Sequence, residues 1–307
     1  MTYIIVVNYN KYEDTFACAE SLLKTTATEA YHIVIVDNAS TNDSWERLQE
    51  LKDNRKITLL LAGENKGYCA GNNIGIRYAL GRMDADFIWI LNPDTLVAPD
   101  ALQKLHDFAQ TKPDLGILGC KLVYYPDTQY LQALGGGNFG IQKHRMLCPG
   151  RHLYHLQSAD MELPEVVELD LIIGASMYIP VKIFQACGLM DERFHLYQDE
   201  NEFCLRAAKF GFAHYAISSA TVYHKEGWRQ SEQKLEAVYY GTRNLLILTK
   251  MHFPRYLARN VFFTFASRRF LSYIIRGKRR ERRMLCRAVR DFFAGVEGKA
   301  DLSKEKR

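Results

Sequence analysis

The sequence has no Cys-x-x-Cys pair and no long apolar run. Its seven cysteines are scattered and odd in number, which argues against a disulfide framework or a cysteine-based zinc site and indicates reduced thiols in the cytosol. The first apolar run, residues 4–7, is too short for a signal peptide, and no uninterrupted stretch is long enough to cross a bilayer. We therefore expect a cytosolic protein without a leader or a spanning helix.

Acidic residues are nearly absent from residues 255–290. That stretch holds eleven arginines and one lysine against a single acid, Glu281, although the whole chain carries a net charge of only +5. A local charge asymmetry of this kind indicates a local anionic partner. The composition as a whole excludes disorder, because 48% apolar and 24% charged residues are ordinary values for a globular protein.

The first half of the chain alternates predicted strands and helices. Apolar runs without clean alternation occur at 3–7, 32–36, 57–61 and 87–91, and helical patterns lie at about 12–25, 43–53, 68–80 and 100–111. Continuous apolar runs suit strands that are covered on both faces, as in a parallel sheet. This order predicts a doubly wound α/β sheet with ligands at the carboxyl ends of its strands.

The pattern changes after about residue 115. We predict strands at 115–125, 169–180 and 212–224, helices at 199–210 and 235–251, and a turn-rich, aperiodic stretch at 126–165. No repeat or low-complexity linker divides the chain. The sequence therefore predicts one α/β domain over residues 1–230, followed by a helical, arginine-rich appendage over residues 231–307.

Polar residues follow the strands at the predicted edge of the sheet. Asn92-Pro93-Asp94 directly follows the run 87–91 and presents one carboxylate where Mg²⁺ or Mn²⁺ and a ligand diphosphate can meet. Asn8 and Tyr9 end the first strand, and Asp37 ends the second, where it can accept hydrogen bonds from a base or a ribose hydroxyl. Taken alone, Asp37 is better explained as an Asx-turn that caps the next helix, and the tripeptide can equally be a simple turn.

A glycine-rich stretch that contains Asn65, Gly67 and Asn72 follows the third strand. Glycines let the backbone approach a ligand, and a helix that starts here offers N–H donors. The stretch is neither Gly-x-Gly-x-x-Gly nor a P-loop, which disfavours a Rossmann dehydrogenase or a P-loop ATPase. The alternative is a glycine-rich helix that packs tightly on the sheet.

Together these motifs resemble the family 2 inverting glycosyltransferases of the GT-A fold. The resemblance runs in order and spacing through Asn8-Tyr9-Asn10, Val36-Asp37-Asn38-Ala39-Ser40, Glu64-Asn65-Lys66-Gly67, Asn72, Leu91-Asn92-Pro93-Asp94, Gly174-Ala175-Ser176-Met177 and Gly188 to Arg206, and it ends near His224. It implies a nucleoside-diphosphate sugar donor, a divalent metal and the rhamnosyltransferase-like branch that builds bacterial surface polysaccharides. Within it, Asn92-Pro93-Asp94 looks like a variant of the Asp-x-Asp metal motif, and His224 stands where the family's histidine commonly joins that aspartate on the metal.

An inverting transfer needs a base that takes the proton of the acceptor hydroxyl. The resemblance places the family's acidic pair at Asp199 and Glu200. Asp199 and Glu202 have the spacing of an N-cap and its N3 partner, so we expect a capping box to occupy both. Glu200 has no such role and is the predicted base, with Asp199 as the next candidate. Alternatively, all three carboxylates merely complement a helix N-terminus.

The arginine-rich stretch interleaves its charges with aromatic and aliphatic residues, and Arg268-Arg269 interrupts it too early for a spanning helix. This pattern is typical of one or two helices lying on an anionic membrane surface, which suits a lipid-linked acceptor. A helix that packs one face on the domain is the alternative. Nucleic acid is not expected as a partner, since no binding motif accompanies the arginines.

The sequence thus predicts a bacterial cytoplasmic enzyme, peripheral at the inner face of the cell membrane. It would move a sugar, best L-rhamnose from dTDP-rhamnose, to a growing or polyprenyl-linked saccharide. A UDP-sugar transferase and a non-catalytic nucleotide-sugar-binding protein are the alternatives. A sugar-1-phosphate nucleotidyltransferase is disfavoured. It should have a glycine-rich loop that contains an arginine after the first strand, and this sequence has Asn8-Tyr9-Asn10-Lys11 at that position. The oligomeric state is left open.

Overall fold

The structure is a computed structural model, and it describes residues 1–142, 145–225 and 235–302. Its first half alternates strands and helices as predicted: β1 (Thr2–Asn8), α1 (Tyr12–Leu23), β2 (Tyr31–Asp37), α2 (Ser44–Leu48), β3 (Ile57–Leu61), α3 (Tyr68–Gly81) and β4 (Phe87–Leu91). These strands are parallel and lie in the order β4-β1-β2-β3. Their carboxyl ends therefore meet at one edge of the sheet.

Burial on both faces of the sheet explains the continuous apolar runs. In β1, Ile5 and Val7 belong to one hydrophobic core, whereas Ile4 and Val6 belong to another. The first core also contains Ile76 of α3, and the second contains residues of α1. A strand that is buried on both sides has no polar face, so its sequence does not alternate.

The second half extends the sheet on the β4 side. Its elements are β5 (Thr95–Val97), α4 (Ala101–Gln110), β6 (Leu115–Tyr124), β7 (Leu131–Leu134), β8 (Gly136–Gln142), β9 (Arg145–His152), β10 (Val166–Leu169), β11 (Leu171–Ile172), β12 (Ser176–Pro180), α5 (Val181–Cys187), α6 (Asp199–Lys209) and β13 (Ala213–His224). The main sheet has the order β10-β13-β6-β12-β4-β1-β2-β3, and β12 runs antiparallel to both β4 and β6. The architecture is mixed α/β with a mostly parallel central sheet, as predicted.

Two expectations for the second half are wrong. The single strand predicted over 169–180 is broken, because β10 pairs with β13, β11 pairs with β8, and β12 joins β4. The stretch predicted as turn-rich, 126–165, contains β7, β8 and β9, and the last two form a separate three-stranded sheet with β11. A Cβ on Gly136 would overlap the carbonyl of Leu171, so this strand needs glycine at a position where a sequence pattern would show an apolar side chain.

Residues 235–302 are mainly helical and contain α7 (Leu235–His252), α8 (Arg255–Val261), a π-helical turn (Phe262–Ala266), α9 (Ser267–Ile275) and α10 (Arg279–Phe293). Leu245 and Leu246 of α7 belong to the first core of the sheet. Tyr239 and Tyr240 of α7 pack with α10 in a smaller core. None of the helices described meets the length and hydropathy that a membrane span requires. The predicted boundary at 230/231 falls between the described segments.

Candidate active site

Asn8 and Asp37 form a fully buried pair at the carboxyl ends of β1 and β2. The Asn8 amide Nδ2 donates to Asp37 Oδ2 at 2.7 Å. Ser40 donates to the same carboxylate twice, from its backbone N–H to Oδ1 at 2.8 Å and from Oγ to Oδ2 at 2.7 Å. Asp37 thus shapes the turn after β2 and ties it to β1. The next residue of the first strand end, Tyr9, is instead 43% exposed.

Gly67 shapes the loop before α3. Its φ is +108°, and an added Cβ would overlap the backbone carbonyl of His195. Asn65 Oδ1 accepts a hydrogen bond from the Gly67 N–H at 2.9 Å, and Asn38 Nδ2 donates to the Gly67 carbonyl at 3.0 Å. The Tyr68 N–H donates to the His195 carbonyl at 3.0 Å. The loop is therefore held between the end of β2 and the segment that precedes α6.

Asn72 lies one turn inside α3 and is fully buried. Its Nδ2 donates to the Tyr68 carbonyl at 3.0 Å, and its Oδ1 has no hydrogen-bond partner among the described residues. Gly71 and Gly75 lie so close to side chains of β1 that a Cβ would approach them within 2.7 Å and 2.6 Å. The helix-packing alternative thus holds for these two glycines, while Gly67 serves the loop.

Asp94 and His224 meet at the same edge of the sheet. Asp94 Oδ1 lies 3.1 Å from His224 Nε2, and His224 Nδ1 lies 2.9 Å from Gln132 Oε1. Because an amide oxygen only accepts, this second contact assigns a ring proton to Nδ1 and turns Nε2 toward the carboxylate. Burial works to raise the pKa of Asp94, but the hydrogen bond and charge interaction with His224 outweigh it and lower that pKa.

The Asp94–His224 pair fits a divalent cation. Mg²⁺ takes octahedral ligands at about 2.0–2.1 Å, so neighbouring ligands lie about 3 Å apart, and this pair is 3.1 Å apart. No group of three or more His, Cys, Asp or Glu side chains gathers into a metal site within the described part of the chain. Two protein ligands are therefore available, and oxygens of a diphosphate and of water would have to supply the others.

The predicted capping box is wrong. Helix α6 begins at Asp199, and the residue before it, Gln198, has φ +68° and makes no side-chain cap. The Glu202 N–H donates to the Gln198 backbone carbonyl at 2.9 Å. The buried carboxylate of Glu202 pairs instead with Arg206 at 2.8 Å and His252 at 3.2 Å. Glu202 is thus a structural residue that joins α6 to α7, and Asp199 is released from the capping role.

The carboxyls of Asp199 and Glu200 interact with each other. Asp199 is buried and lies 3.6 Å from the Cys69 thiol, which donates to it. Burial raises the pKa of Glu200 well above its ordinary value, and the charge of Asp199 and a hydrogen bond to it raise that pKa further. Burial also raises the pKa of Asp199. A carboxylate that holds a proton this readily is suited to accept one from a bound hydroxyl.

Residues 174 and 175 connect this acidic pair to the Asp94 turn. The Glu200 side chain lies against Gly174, where a Cβ would be 3.5 Å from Glu200 Cβ. The Asn92 N–H donates to the carbonyl of residue 175 at 3.1 Å. Asn92 is two positions before Asp94. The short connection between β11 and β12 therefore lies between the Glu200 side chain and the turn that carries Asp94. Helix α6 and the Asp94 turn therefore lie on neighbouring parts of one edge.

A cavity of about 900 Å³ opens at this edge. The predicted site residues in its wall are Tyr9, Asn65, Gly67, Asn92 and Asp94. The other predicted residues lie outside the described wall: Asn8, Asp37, Asn72, Asp199, Glu200 and His224. Tyr68 belongs to the wall and donates through its hydroxyl to the Gly174 carbonyl at 2.9 Å, next to the Glu200 side chain. The opposite wall comes from the segment before α6, from α7 and from residues 299–302.

Sequence comparison identifies the family. The model of glycosyl transferase family 2 matches residues 3–156, about half of the chain. The chain belongs to glycosyl transferase family 2. This family 2 chain is 26% identical over 210 residues to the low-salt glycan biosynthesis hexosyltransferase of Haloferax volcanii. The alignment covers 67% of the chain and 61% of that relative. It is 22% identical over 274 residues to the dTDP-rhamnosyl transferase RfbF of Shigella flexneri, with 85% of each chain covered.

Solved structures agree with the predicted GT-A fold. The crystal structure of GalNAc-T7 with UDP, GalNAc and Mn²⁺ matches 88% of the family 2 chain with a TM-score of 0.65 at 16% identity. At this identity the similarity shows the fold alone. The chain spans 50% of the GalNAc-T7 chain and 61% of the Haloferax relative.

Sequence reasoning missed three parts of the candidate site. Gln132, which holds His224, lies on β7 in the aperiodic stretch, and no local pattern marks it. The wall residues 299–302 follow α10 and have neither a helical nor a strand pattern. The third part is His195, which belongs to the cavity wall. It lies between Gly188 and Arg206, inside the region of resemblance, and that position was the only signal in the sequence for a role of His195.

Proposed function

We propose that this family 2 chain is a metal-dependent, inverting glycosyltransferase that uses a nucleoside-diphosphate sugar. The observation that carries the proposal is the 3.1 Å contact between Asp94 and His224 at the edge that also holds Asp199 and Glu200, whose pKa values are raised by burial. Glycosyl transfer needs both features. The departing diphosphate requires positive charge, and the attacking hydroxyl requires a base.

In this proposal each site residue has one task. Asp94 and His224 would hold Mg²⁺ or Mn²⁺, and Gln132 orients the His224 ring through Nδ1. The bound metal would supply positive charge beside the diphosphate. Glu200 accepts the proton of the acceptor hydroxyl, and Asp199 keeps the pKa of Glu200 raised. The acceptor oxygen bonds to the anomeric carbon as the bond to the diphosphate breaks on the opposite face, so the configuration inverts.

The donor nucleotide is proposed to occupy the cavity. The residues proposed to contact it or to shape its site are Asn8, Tyr9, Asp37, Asn65, Gly67, Asn72, Asn92 and Asp94. We favour dTDP-L-rhamnose, because the relative that aligns over 85% of both chains is named a dTDP-rhamnosyl transferase. A UDP-sugar is the competing donor, since the structural neighbour GalNAc-T7 was crystallised with UDP.

We propose that residues 1–230 are the catalytic domain and that residues 231–307 lie on the inner face of the cell membrane, where a polyprenyl-linked saccharide is the acceptor. Large apolar side chains of α9 and the preceding turn are exposed, among them Phe263 at 61%, Leu271 at 57% and Ile275 at 76%. They belong to the stretch with eleven arginines. Apolar side chains among arginines favour an anionic membrane surface.

A donor panel tests the function. Purified protein and a membrane lipid extract are incubated with dTDP-rhamnose, UDP-glucose, UDP-galactose or UDP-N-acetylglucosamine, and release of the nucleoside diphosphate is measured with Mg²⁺, Mn²⁺ or EDTA. We expect the nucleoside diphosphate to be released from one of these donors, and we expect EDTA to abolish this release. Turnover that continues in EDTA would remove the roles assigned to Asp94 and His224.

The variant Glu200→Gln tests the proposed base. It should lose transfer by about 10²–10⁴-fold and retain donor binding, whereas Glu168→Gln, an exposed carboxylate on β10, should behave as the wild type. Full transfer by Glu200→Gln would assign the base to another group. A wild-type protein that binds a donor and never transfers its sugar would instead be a nucleotide-sugar-binding protein.

A further inference from the structure

The last described residues form a strap across the C-terminal side of the cavity, and we define the strap as residues 297–302. Its first half is fixed by two backbone contacts. The Gly298 N–H donates to the Arg193 carbonyl at 2.8 Å, and Arg243 Nη2 donates to the Gly298 carbonyl at 2.8 Å. Arg243 is fully buried on α7, so this anchor belongs to the protein interior.

The second half of the strap is fixed as well. The Ala300 N–H donates to the Tyr240 hydroxyl at 3.0 Å, and Leu302 is only 5% exposed within the small core of α7 and α10. Lys299 therefore lies between two anchored residues. Its backbone cannot move far without breaking these contacts, and the residue forms part of the cavity wall.

The Lys299 ammonium lies at the glycine-rich loop. Its Nζ donates to the Asn65 backbone carbonyl at 3.2 Å, and Asn65 is also part of the cavity wall. None of the described carboxylates forms an ion pair with Lys299. An ammonium has three N–H donors and a full positive charge, and here it contacts a neutral carbonyl. It is therefore available to an anion in the cavity.

The cavity wall contains four other charged side chains, those of Lys11, Asp94, Glu236 and Asp301. Lys11 is the second ammonium of the wall. Glu236 belongs to α7 and Asp301 to the strap itself, so both acids lie on the same side of the cavity as Lys299. The contact with Asn65 directs Lys299 toward the loop between β3 and α3, which is the side where a nucleotide is proposed to bind.

We propose that Lys299 binds the diphosphate of the donor nucleotide, so that the C-terminal strap completes the donor site. This inference rests on the proposed function and adds a ligand from outside the region matched by the family model. A lysine is a compact cation on a flexible stem. It can exchange the Asn65 carbonyl for a phosphate oxygen while the strap backbone stays in place. The charge that develops on the departing diphosphate would then face a fixed cation.

Binding of nucleotides to the full chain tests the inference. Calorimetric titrations with dTDP and with UDP, each with Mn²⁺, compare the wild type with Lys299→Ala, Lys299→Arg and Lys209→Ala. Lys209 is the matched control, because it is also an exposed lysine that contacts a backbone carbonyl, at 3.5 Å from Met251 O, and it lies outside the described cavity wall. Lys299→Ala should weaken binding of the preferred diphosphate about tenfold or more, as expected for a hydrogen bond to a charged group.

The remaining variants and ligands separate a direct contact from a structural effect. Lys299→Arg should keep most of the affinity, and Lys209→Ala should bind as the wild type does. The loss in Lys299→Ala should be larger for the nucleoside diphosphate than for the corresponding monophosphate. Wild-type affinity in Lys299→Ala overturns the inference and leaves the proposed function standing. An equal loss of affinity for the diphosphate and the monophosphate, together with a lowered melting temperature of Lys299→Ala, also overturns it. A wild type that binds neither dTDP nor UDP counts against the proposed donor class itself.

Discussion

Replacing Gly67 by alanine should strain the loop at the proposed nucleotide site without changing any charge. Gly67 has φ +108° and ψ −178°, a region that is open essentially to glycine alone. An added Cβ would overlap the carbonyl of His195, and this carbonyl also accepts the Tyr68 N–H at 3.0 Å. Backbone would have to move on one side or the other, and the hydrogen bond at the start of α3 would be disturbed.

The size of the effect follows from two costs. The backbone conformation costs alanine about 1–3 kcal/mol, and forcing the His195 carbonyl aside costs about 1–3 kcal/mol more. We therefore expect the unfolding free energy to fall by about 4 kcal/mol. A protein of this length has an unfolding entropy of about 0.6 kcal/mol/K, so its melting temperature should fall by about 6 °C. Binding of dTDP or UDP should weaken as well.

Gly63→Ala is the matched control, because it lies in the same β3–α3 connection and an added Cβ there has nothing within 4 Å. Thermal melting followed by circular dichroism compares the two variants with the wild type. Gly63→Ala should melt within about 1 °C of the wild type, since surface substitutions usually change stability by less than about 0.5 kcal/mol. A Gly67→Ala protein that melts and binds nucleotide like the wild type would refute the steric argument.

Three further predictions concern charged groups. Glu202→Gln should lower the unfolding free energy in urea by about 3–5 kcal/mol, because it breaks a buried pair with Arg206 and His252, whereas Glu281→Gln should change it by less than about 1 kcal/mol. Burial opposes the charge of Glu202, but His252 and Arg206 outweigh it and lower its pKa. The stabilisation that Arg206 and His252 give through Glu202 is therefore present above the unfolded pKa of about 4.3 and is lost as the pH falls through the folded pKa. A wild type whose unfolding free energy is the same in acid as at neutral pH would contradict this. Since burial and Asp199 raise the pKa of Glu200, transfer should decline on acidification with a midpoint above that of an ordinary glutamate; a midpoint at the ordinary value would count against Glu200 as the base. Changing Arg268 and Arg269 to Gln should weaken binding to phosphatidylglycerol vesicles about thirtyfold, at about 1 kcal/mol per arginine. Vesicle flotation measures this binding, and a double variant with Arg47→Gln and Arg55→Gln is the control. If the Arg268, Arg269 variant floats like the control, a membrane role is wrong.

The elements that could be predicted are those whose residues are determined by local burial. The strands β1 to β4 lie within one residue of the predicted bounds, because residues such as Ile4 and Ile5 are buried on opposite faces of the sheet. The contact of Asp94 with His224 was implied by the resemblance. A parallel sheet brings the ends of its strands to one edge, so the position of Asp94 there followed from the strand pattern alone.

The features that could not be predicted depend on contacts between distant parts of the chain. Glu202 has the spacing of a capping residue, yet its carboxylate pairs with His252 of α7, fifty residues away. Gly136 lies in a strand whose apolar pattern is lost because the Leu171 carbonyl occupies the space of a side chain. Lys299 reaches the cavity because buried Arg243 and Tyr240 anchor its neighbours. No local sequence pattern encodes such contacts.

The proposed mechanism requires Asp94 and His224 to be ligands of one divalent cation. Binding of Mn²⁺ to the 307-residue chain, measured by electron paramagnetic resonance in the presence of dTDP or UDP, tests this requirement. Asp94→Ala and His224→Ala should each weaken Mn²⁺ binding by about tenfold or more, while Asp191→Ala, a carboxylate outside the described cavity wall, should bind Mn²⁺ as the wild type does. If both site variants keep the wild-type affinity for Mn²⁺, the pair is not a metal site and the proposed mechanism is wrong.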